Sequence, residues 1–538
     1  MQNKIDRNRV KGFLKTQGTS VINEDGEEII LTGWGLGNWL LCEGYMWKAY
    51  GGQRFDRPRR IEEVIKELAG SQYAEFFWKK FRENYVTKAD IKAMADLGYN
   101  SVRIPMNWRV FLEDEPGLQW KEDGFDLLTR CLDWCEEYHI YAFLDLHGAP
   151  GGQTGANIDD CVDNIPRLYL DEDSWSKGIA LWKELAVRYG DRYIVGGYDL
   201  LNEPIRPQVG GPEGNYDYLV PKLAEFYEEA IAEIRKVDQK HLISLEGHHW
   251  ATNPSVFNKK YDDNMVIHFH RYGCIPDISC YREWLALSKK WDVPLWLGET
   301  GENLNEWYTA MYPLAVDLNF GYNLWPWKKM DCTNSPYSIQ LPQGWEKLIG
   351  FTKGEKRPSY DEVKEILNSY LENMKIENCK SNPKVTQAVF RLPGCKVRAT
   401  DFDEFPGKGI SFSGIRTEEN FYGYRSNTGM EIKLKKGNFN RRFAFDCMWD
   451  RFVLELKDNE FTSYSIYDCK CSILKLDYFC NQSSTIRIDQ DGTEIAYIPV
   501  TASEEMQTSP EIKLKDSSKS VIKISVDGLV DLDALIFE

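Results

Sequence analysis

Two glutamates carry the chemistry that this sequence can be read for. Glu203 stands in Leu201-Asn202-Glu203-Pro204 and Glu299 in Gly298-Glu299-Thr300, each closing a short apolar run. Two carboxyls facing one cleft can break an acetal. One, protonated, gives its proton to the leaving oxygen, and the other, ionised, attacks the anomeric carbon. An arginine beside one carboxyl keeps it charged, while a buried, uncharged setting keeps the other protonated. Further candidates close neighbouring runs: Arg103 before Ile104-Pro105, His147 in Asp145-Leu146-His147-Gly148, His270 and Tyr272 in His268-Phe269-His270-Arg271-Tyr272, and Trp325 before Pro326-Trp327.

For these residues to meet, the runs must be strands of one sheet. Apolar stretches at 29–36, 100–104, 140–146, 198–202, 242–246, 265–270, 294–299 and 321–325 read as eight buried strands. Amphipathic helical patterns lie at 88–97, 125–138, 175–189, 216–237 and 280–291, with another at 360–373. Thr87 and Asp90 resemble a capping box. Strands alternating with helices imply a parallel sheet. Eight repeats predict a closed (β/α)₈ TIM barrel, whose active site lies at the carboxyl ends of the strands. Before it, residues 21–30 read as a hairpin turning at Asp25-Gly26. An insertion at 41–85, rich in aromatics (Tyr45, Trp47, Tyr50, Phe55, Phe76, Phe77, Trp78), would either cap the cleft or pack on the barrel.

Residues 374–388, broken by Pro383, read as a linker. Beyond them the pattern changes to short β-type runs at 452–456, 472–478, 485–488, 494–500, 512–514 and 521–526, punctuated by Asp491-Gly492 and Asp527-Gly528. That spacing predicts a smaller all-β sandwich. The expected domains are a barrel over 1–375 and a sandwich over 389–538.

The strand-end motifs resemble those of glycoside hydrolase family 5, in clan A of the retaining glycosidases, over roughly residues 15–370. Eight positions match the family's active site in chain order: Arg103, His147, Asn202, Glu203, His270, Tyr272, Glu299 and Trp325. The resemblance implies that Glu203 is the acid/base and Glu299 the nucleophile of a double displacement. It further implies that Asn202 binds the sugar 2-OH and that Arg103 and Tyr272 orient Glu299. His147 and His270 would bind sugar hydroxyls or hold the carboxylates, and Trp325 would give a flat face to the sugar ring. Trp39 and Trp250 are expected to line the cleft, Glu246 to support it, and Trp327 to pack in the core or the outer wall. No cofactor is implied, and no metal is expected at His248, His249, His268 and His270.

The segments Gly33-Trp34-Gly35-Leu36-Gly37-Asn38-Trp39-Leu40 and 145–153 resemble the exo-β-1,3-glucanase and β-glucosidase branch. That implies exo attack on β-glucosides or short β-glucan oligosaccharides. An endo-β-glucanase or mannanase, an exo-glycosidase for another sugar such as a galactoside, and a non-catalytic carbohydrate-binding protein are the alternatives. Residues 154–170 match no substrate pattern. The C-terminal part, through 397–403, 450–456 and 530–537, resembles carbohydrate-binding modules of family 6 and 35 type. Tyr422, Tyr424 and Trp449 would be its aromatic platforms, unless it only supports the barrel.

Composition narrows the partners. The chain has 538 residues, 42% hydrophobic and 28% charged, with a net charge of −17. An acidic chain does not suit nucleic acid, whose phosphates need a basic face. No apolar stretch reaches the ~20 residues of a membrane helix. Of the 18 tryptophans only Trp449 lies after residue 380, and all seven histidines lie before it. Two different kinds of domain follow from that imbalance. The 13 cysteines show no zinc-type spacing and read as free thiols in a reducing compartment. With no signal peptide at Met1 the expected location is the cytoplasm, where a small glycoside rather than a polysaccharide is the accessible substrate, unless a leader has been lost. The oligomeric state is left open.

Overall fold

Eight strands close into a parallel barrel: β1 Thr32–Gly35, β2 Ser101–Asn107, β3 Tyr141–Gly148, β4 Val195–Asp199, β5 Leu242–Glu246, β6 Met265–Arg271, β7 Leu295–Gly301 and β8 Gly321–Trp325. Each pairs with the next, and β8 pairs with β1. The structure is a computed structural model describing residues 4–50, 54–209, 214–420, 423–435 and 448–538. The chain divides into two compact units. The first is Met1–Arg271, Glu283–Thr300 and Asn319–Ser381, and the second is Tyr272–Arg282, Gly301–Leu318 and Asn382–Glu538. Among the described residues no helix is long and apolar enough to cross a membrane.

Helices follow the strands as the 3.6-residue periodicity predicts: α3 Lys88–Asp96, α4 Glu122–Glu137, α5 Glu172–Tyr189, α6 Val220–Arg235, α7 Arg282–Trp291 and α8 Asn305–Asp317, then α9 Trp345–Thr352 and α10 Tyr360–Asn373. Thr87 and Asp90 do form a capping box, since the Thr87 N–H donates to Asp90 Oδ2 at 2.9 Å. The insertion builds α1 Pro58–Ala69 and α2 Ser71–Tyr85. Its aromatics make a core: the fully buried Trp47 meets Phe55, Phe77, Phe81, Trp345 and Tyr370 at ring-centroid distances of 5.2–6.4 Å. The insertion is therefore held by packing, with only Tyr50 and Phe76 among its expected aromatics well exposed.

Three local expectations need correction. The N-terminal hairpin pairs Lys15–Gln17 with Ser20–Ile22, and the Asp25-Gly26 turn closes only a single bridge, Ile22 to Glu28. Strand four ends at Asp199, so Asn202 and Glu203 lie in the irregular backbone beyond it. Its Gly196-Gly197 pair disguised the strand, but the Phe143 ring fills the room that a side chain at Gly196 would need. Pro383 does not break a linker but opens a helix, α11 Pro383–Val389. Proline suits a first helical turn, where its missing N–H has no intrahelical partner anyway.

In the second unit two antiparallel sheets form. One orders Glu431–Leu434, Phe452–Lys457, Leu529–Phe537, Ile473–Cys480 and Ser503–Thr508, with two short strands attached. The other orders Phe412–Ser413, Phe461–Cys469, Ser517–Asp527, Ser484–Gln490 and Thr493–Val500. The strands at 503–508 and 529–537 fall outside the β-type runs expected from the sequence. Two of the three expected sugar platforms are not available there. Trp449 is 0% exposed and Tyr424 1%, its hydroxyl donating to Asp401 Oδ1 at 2.8 Å. Tyr422 lies outside the described residues. The cysteines of the described residues are free thiols.

Candidate active site

The strand period of two sets which side chains meet inside the barrel. Asp145 and His147 share a face of β3, Ser244 and Glu246 a face of β5, and His268 and His270 a face of β6. Register then aligns them: Asp145 opposite Asp199, Asp199 opposite Ser244, Glu246 opposite His268 and His270 opposite Glu299. The mouth of the barrel is thus polar, although its strands read as apolar runs.

Arg103 on β2 is the hub. It is fully buried, and five acceptor groups surround its guanidinium. Nε donates to Asp199 Oδ2 at 2.8 Å and Nη1 to Glu299 Oε2 at 2.7 Å. Nη2 reaches Asn202 Oδ1 at 2.8 Å and Glu246 Oε1 at 2.9 Å, with Asp145 Oδ2 at 3.1 Å. A planar guanidinium held so cannot rotate, and it fixes Glu299 in place. One positive charge among four acids leaves the cluster short of counter-charge. Burial accordingly pushes Asp145 well above the usual carboxylate range and also raises Glu246. Burial acts on Asp199 too, but His268 and Arg103 outweigh it and hold that carboxyl at about 2.

The other glutamate has a different setting. Glu203 adopts φ +45°, a left-handed conformation that costs on the order of 1–3 kcal/mol outside glycine. The turn aims its N–H at Glu246 Oε2, 2.6 Å away, and leaves the carboxyl side chain 13% exposed. Glu203 Oε1 lies 2.7 Å from His270 Nδ1. Burial works against a charged His270, but Glu246, Glu299 and the bond to Glu203 raise it well above the ordinary imidazole value. Oxygens of Glu203 and Glu299 lie within 4.8 Å of one another and of that histidine.

His147 joins the group from β3. Its Nδ1 is 2.7 Å from Asp145 Oδ2, and its Nε2 accepts from Asn202 Nδ2 at 3.2 Å. Burial and the nearby Arg103 push it down to about 3, so it is neutral. Its ring lies parallel to Trp325, 5.2 Å between centroids. The Trp325 N–H donates to the Tyr45 hydroxyl at 2.8 Å. Gly35 and Gly37 leave room for the indole, since a Cβ at either would stand 2.5 or 2.7 Å from its ring carbons. Trp325 is only 3% exposed, so the open flat face expected of it is not there. Trp327 is core, as expected, its N–H donating to Asp90 Oδ1 at 3.1 Å.

The structure thus brings together Arg103, His147, Asn202, Glu203, His270, Glu299 and Trp325. Trp39 does not join them. It is 1% exposed with its N–H spent on the Arg82 carbonyl at 2.8 Å, which makes it a packing residue. Trp250 is half-buried in three consecutive left-handed residues, His249 to Ala251, after β5. Tyr272 is half-buried, directly follows β6, and is grouped with the second unit. The sequence reading missed Asp145, Asp199 and His268 as members; spacing by two from His147 and His270 was the signal for the first and last. Among the described residues three groups have ligand atoms near enough for a cation. Two consist of Glu203, Glu246, His268, His270 and Glu299, whose atoms are occupied with one another, and the third is Asp217, His248 and His249.

Residues 154–170 find their purpose here. Asp160, fully buried, accepts from Arg109 Nε at 2.8 Å, Asn107 Nδ2 at 2.9 Å and Trp108 Nε1 at 3.0 Å, and pairs with Arg59 at 2.9 Å. It ties the loop after β3 to the end of β2.

Fold and cluster together define the class: a (β/α)₈ barrel carrying paired carboxyls and an arginine at the carboxyl ends of its strands. The chain belongs to glycosyl hydrolase family 5, whose model, described as cellulase, matches residues 62–331. A β-xylosidase of Phanerodontia chrysosporium is 35% identical over 263 residues, 48% of this chain and 52% of that one. Endoglucanase C of Acetivibrio thermocellus is 27% identical over 205 residues, covering 38% and 54%. A glucan 1,3-β-glucosidase of Candida oleophila is 28% identical over 218 residues, covering 39% and 48%. The chain spans about half the length of these relatives.

Proposed function

We propose that the chain is a retaining β-glycoside hydrolase, exo-acting on β-glucosides or short β-glucan oligosaccharides. Glu299 is the nucleophile and Glu203 the acid/base. The observation that carries this reading is the pair itself, two carboxyls within 4.8 Å in unlike settings. Glu299 accepts from a guanidinium, and Glu203 lies against an imidazole with which it can share a proton. Retaining enzymes keep their carboxyls ~5–5.5 Å apart, while inverting enzymes need ~6.5–9.5 Å to admit a water. Asn202, whose amide oxygen accepts from Arg103, bonds the sugar 2-OH in this reading.

The names of the β-xylosidase and glucan 1,3-β-glucosidase relatives support exo attack, and that of the endoglucanase supports an endo-acting second reading. A panel of p-nitrophenyl glycosides, followed by product analysis on β-glucan oligosaccharides, separates them. Single sugars released from the non-reducing end with retained anomeric configuration are expected. Internal cleavage would replace the exo reading, and inverted product would remove the double displacement.

A further inference from the structure

Behind His270 stands a second imidazole that the proposed reaction does not use. His268 is wholly buried. Its Nε2 lies 3.1 Å from His270 Nε2, and its Nδ1 lies 3.0 Å from both Asp199 Oδ1 and Ser244 Oγ. The Ser244 hydroxyl donates to that same Asp199 oxygen at 3.1 Å. Gly298 reserves the space, because a Cβ there would collide with His268 Nε2.

The partners decide where the protons sit. Asp199 is a carboxylate bound by Arg103 Nε, so His268 Nδ1 must donate to it. The neutral His268 then has a bare Nε2, which accepts from His270 Nε2–H. With that hydrogen placed, His270 Nδ1 and Glu203 Oε1 face each other across 2.7 Å with one proton between them. We propose that His268 is a positioning residue which, set by Asp199, keeps one transferable proton in the Glu203–His270 bond. The inference rests on the reading of Glu203 as acid/base. In the first half-reaction Glu299 bonds to the anomeric carbon as the glycosidic C–O bond breaks. Its electron pair goes to the leaving oxygen, which takes that proton. The Glu203 carboxylate is then left against a bare Nδ1, two acceptors in contact, and the proton of the attacking water relieves this in the second half-reaction.

The neighbours do not replace His268. Glu246 Oε1 lies 3.4 Å from His270 Nε2 and 3.5 Å from His268 Nδ1, but it is already held by Arg103. Glu299 Oε1 is 4.0 Å from His270 Nδ1, on its other edge. From β7 the Trp296 ring packs on His268 and brings no charge.

Asp199→Asn tests the arrangement. Its oxygen must accept from Arg103, so its amide N–H₂ faces His268 and reverses the tautomers. Nε2 of His268 gains the hydrogen, His270 Nε2 must accept it, and Glu203 becomes a carboxylate without a transferable proton. For aryl glycosides with poor leaving groups, kcat/KM is expected to fall about tenfold or more and its alkaline limb to move about one pH unit lower. With a dinitrophenyl leaving group, which needs no proton, the rate should change little. His268→Leu, which removes the acceptor, should move the limb the same way and serves if Asp199→Asn does not fold. His268→Gln offers a donor to Asp199 and an acceptor to His270, and should keep the wild-type limb. An unmoved limb in Asp199→Asn and His268→Leu, beside a wild-type limb that Glu203→Gln abolishes, overturns the role of His268. A wild type without hydrolysis, or with a limb that survives Glu203→Gln, contradicts the proposed function instead.

Discussion

Two buried arginines, one in each unit, sit among acids. Arg103 in the barrel meets Asp145, Asp199, Glu246 and Glu299. Arg425 in the second unit meets Glu404 at 3.0 Å and Asp401 at 4.0 Å, stacks on Phe402, and lends its backbone N–H to Asp277 at 3.0 Å. Burial raises acids in both: Asp401 is pushed up to about 6, with Arg425 pulling against it. A buried arginine ringed by carboxyls is therefore not by itself a site. What sets the first apart is histidine. His147, His268 and His270 stand among its acids and one of its carboxyls, Glu203, reaches the cleft, whereas the second unit contains no histidine and Asp401 is 0% exposed. Imidazoles can hand a proton on at working pH, and a lone arginine cannot.

The contrast fails first, if it fails, at the nucleophile. Glu299→Gln should fold normally and lose about 10⁴-fold or more of its aryl-glycosidase kcat. Undiminished hydrolysis would remove the distinction between the clusters. Next in size, Arg425→Leu leaves buried acids unpaired and should destabilise by about 3–5 kcal/mol, read as a lower urea midpoint. Its turnover per folded molecule should match wild type; a folded variant with collapsed kcat would make the second cluster part of the chemistry. Smallest is a pH effect at Asp160, a structural acid inside the barrel unit. Burial would raise it, but Arg109 and Arg59 bring it below its ordinary value. A carboxyl lowered on folding adds stability above its unfolded pKa of ~3.9, and the gain is lost as pH falls through the folded value. Asp160→Asn should therefore be less stable at pH 7, with the gap closing below about pH 4. A pH-independent gap would assign Asp160 to packing alone.

Much of this was legible because the barrel repeats. Strands β5 and β8 fell where their apolar runs predicted, and Arg103 and Glu299 lie on strands that were read as such, whereas Glu203 stands beyond the end of its strand. Two things were not legible. Asp145, Asp199 and His268 sit within runs that read as apolar; spacing by two ties Asp145 to His147 and His268 to His270, but nothing in the sequence aligns Asp199 with Arg103. Aromatic type also does not tell burial: Trp39 and Trp449 look like sugar platforms in sequence, yet both are sealed in cores. Propensity marked Pro383 as a breaker where tertiary packing uses it as a helix start.

The central claim is that Glu299 attacks carbon while Glu203 handles the proton. Incubation with a 2-deoxy-2-fluoro-β-glucosyl donor, followed by proteolysis and mass spectrometry, tests it directly. The fluorine slows both half-reactions and a dinitrophenyl leaving group restores the rate of the first alone, so the glycosyl-enzyme accumulates. A fluoroglucosyl adduct on the peptide bearing Glu299, absent in Glu299→Gln, is the predicted result. Turnover of the parent glucoside with no adduct, or with an adduct on Glu203, would contradict it.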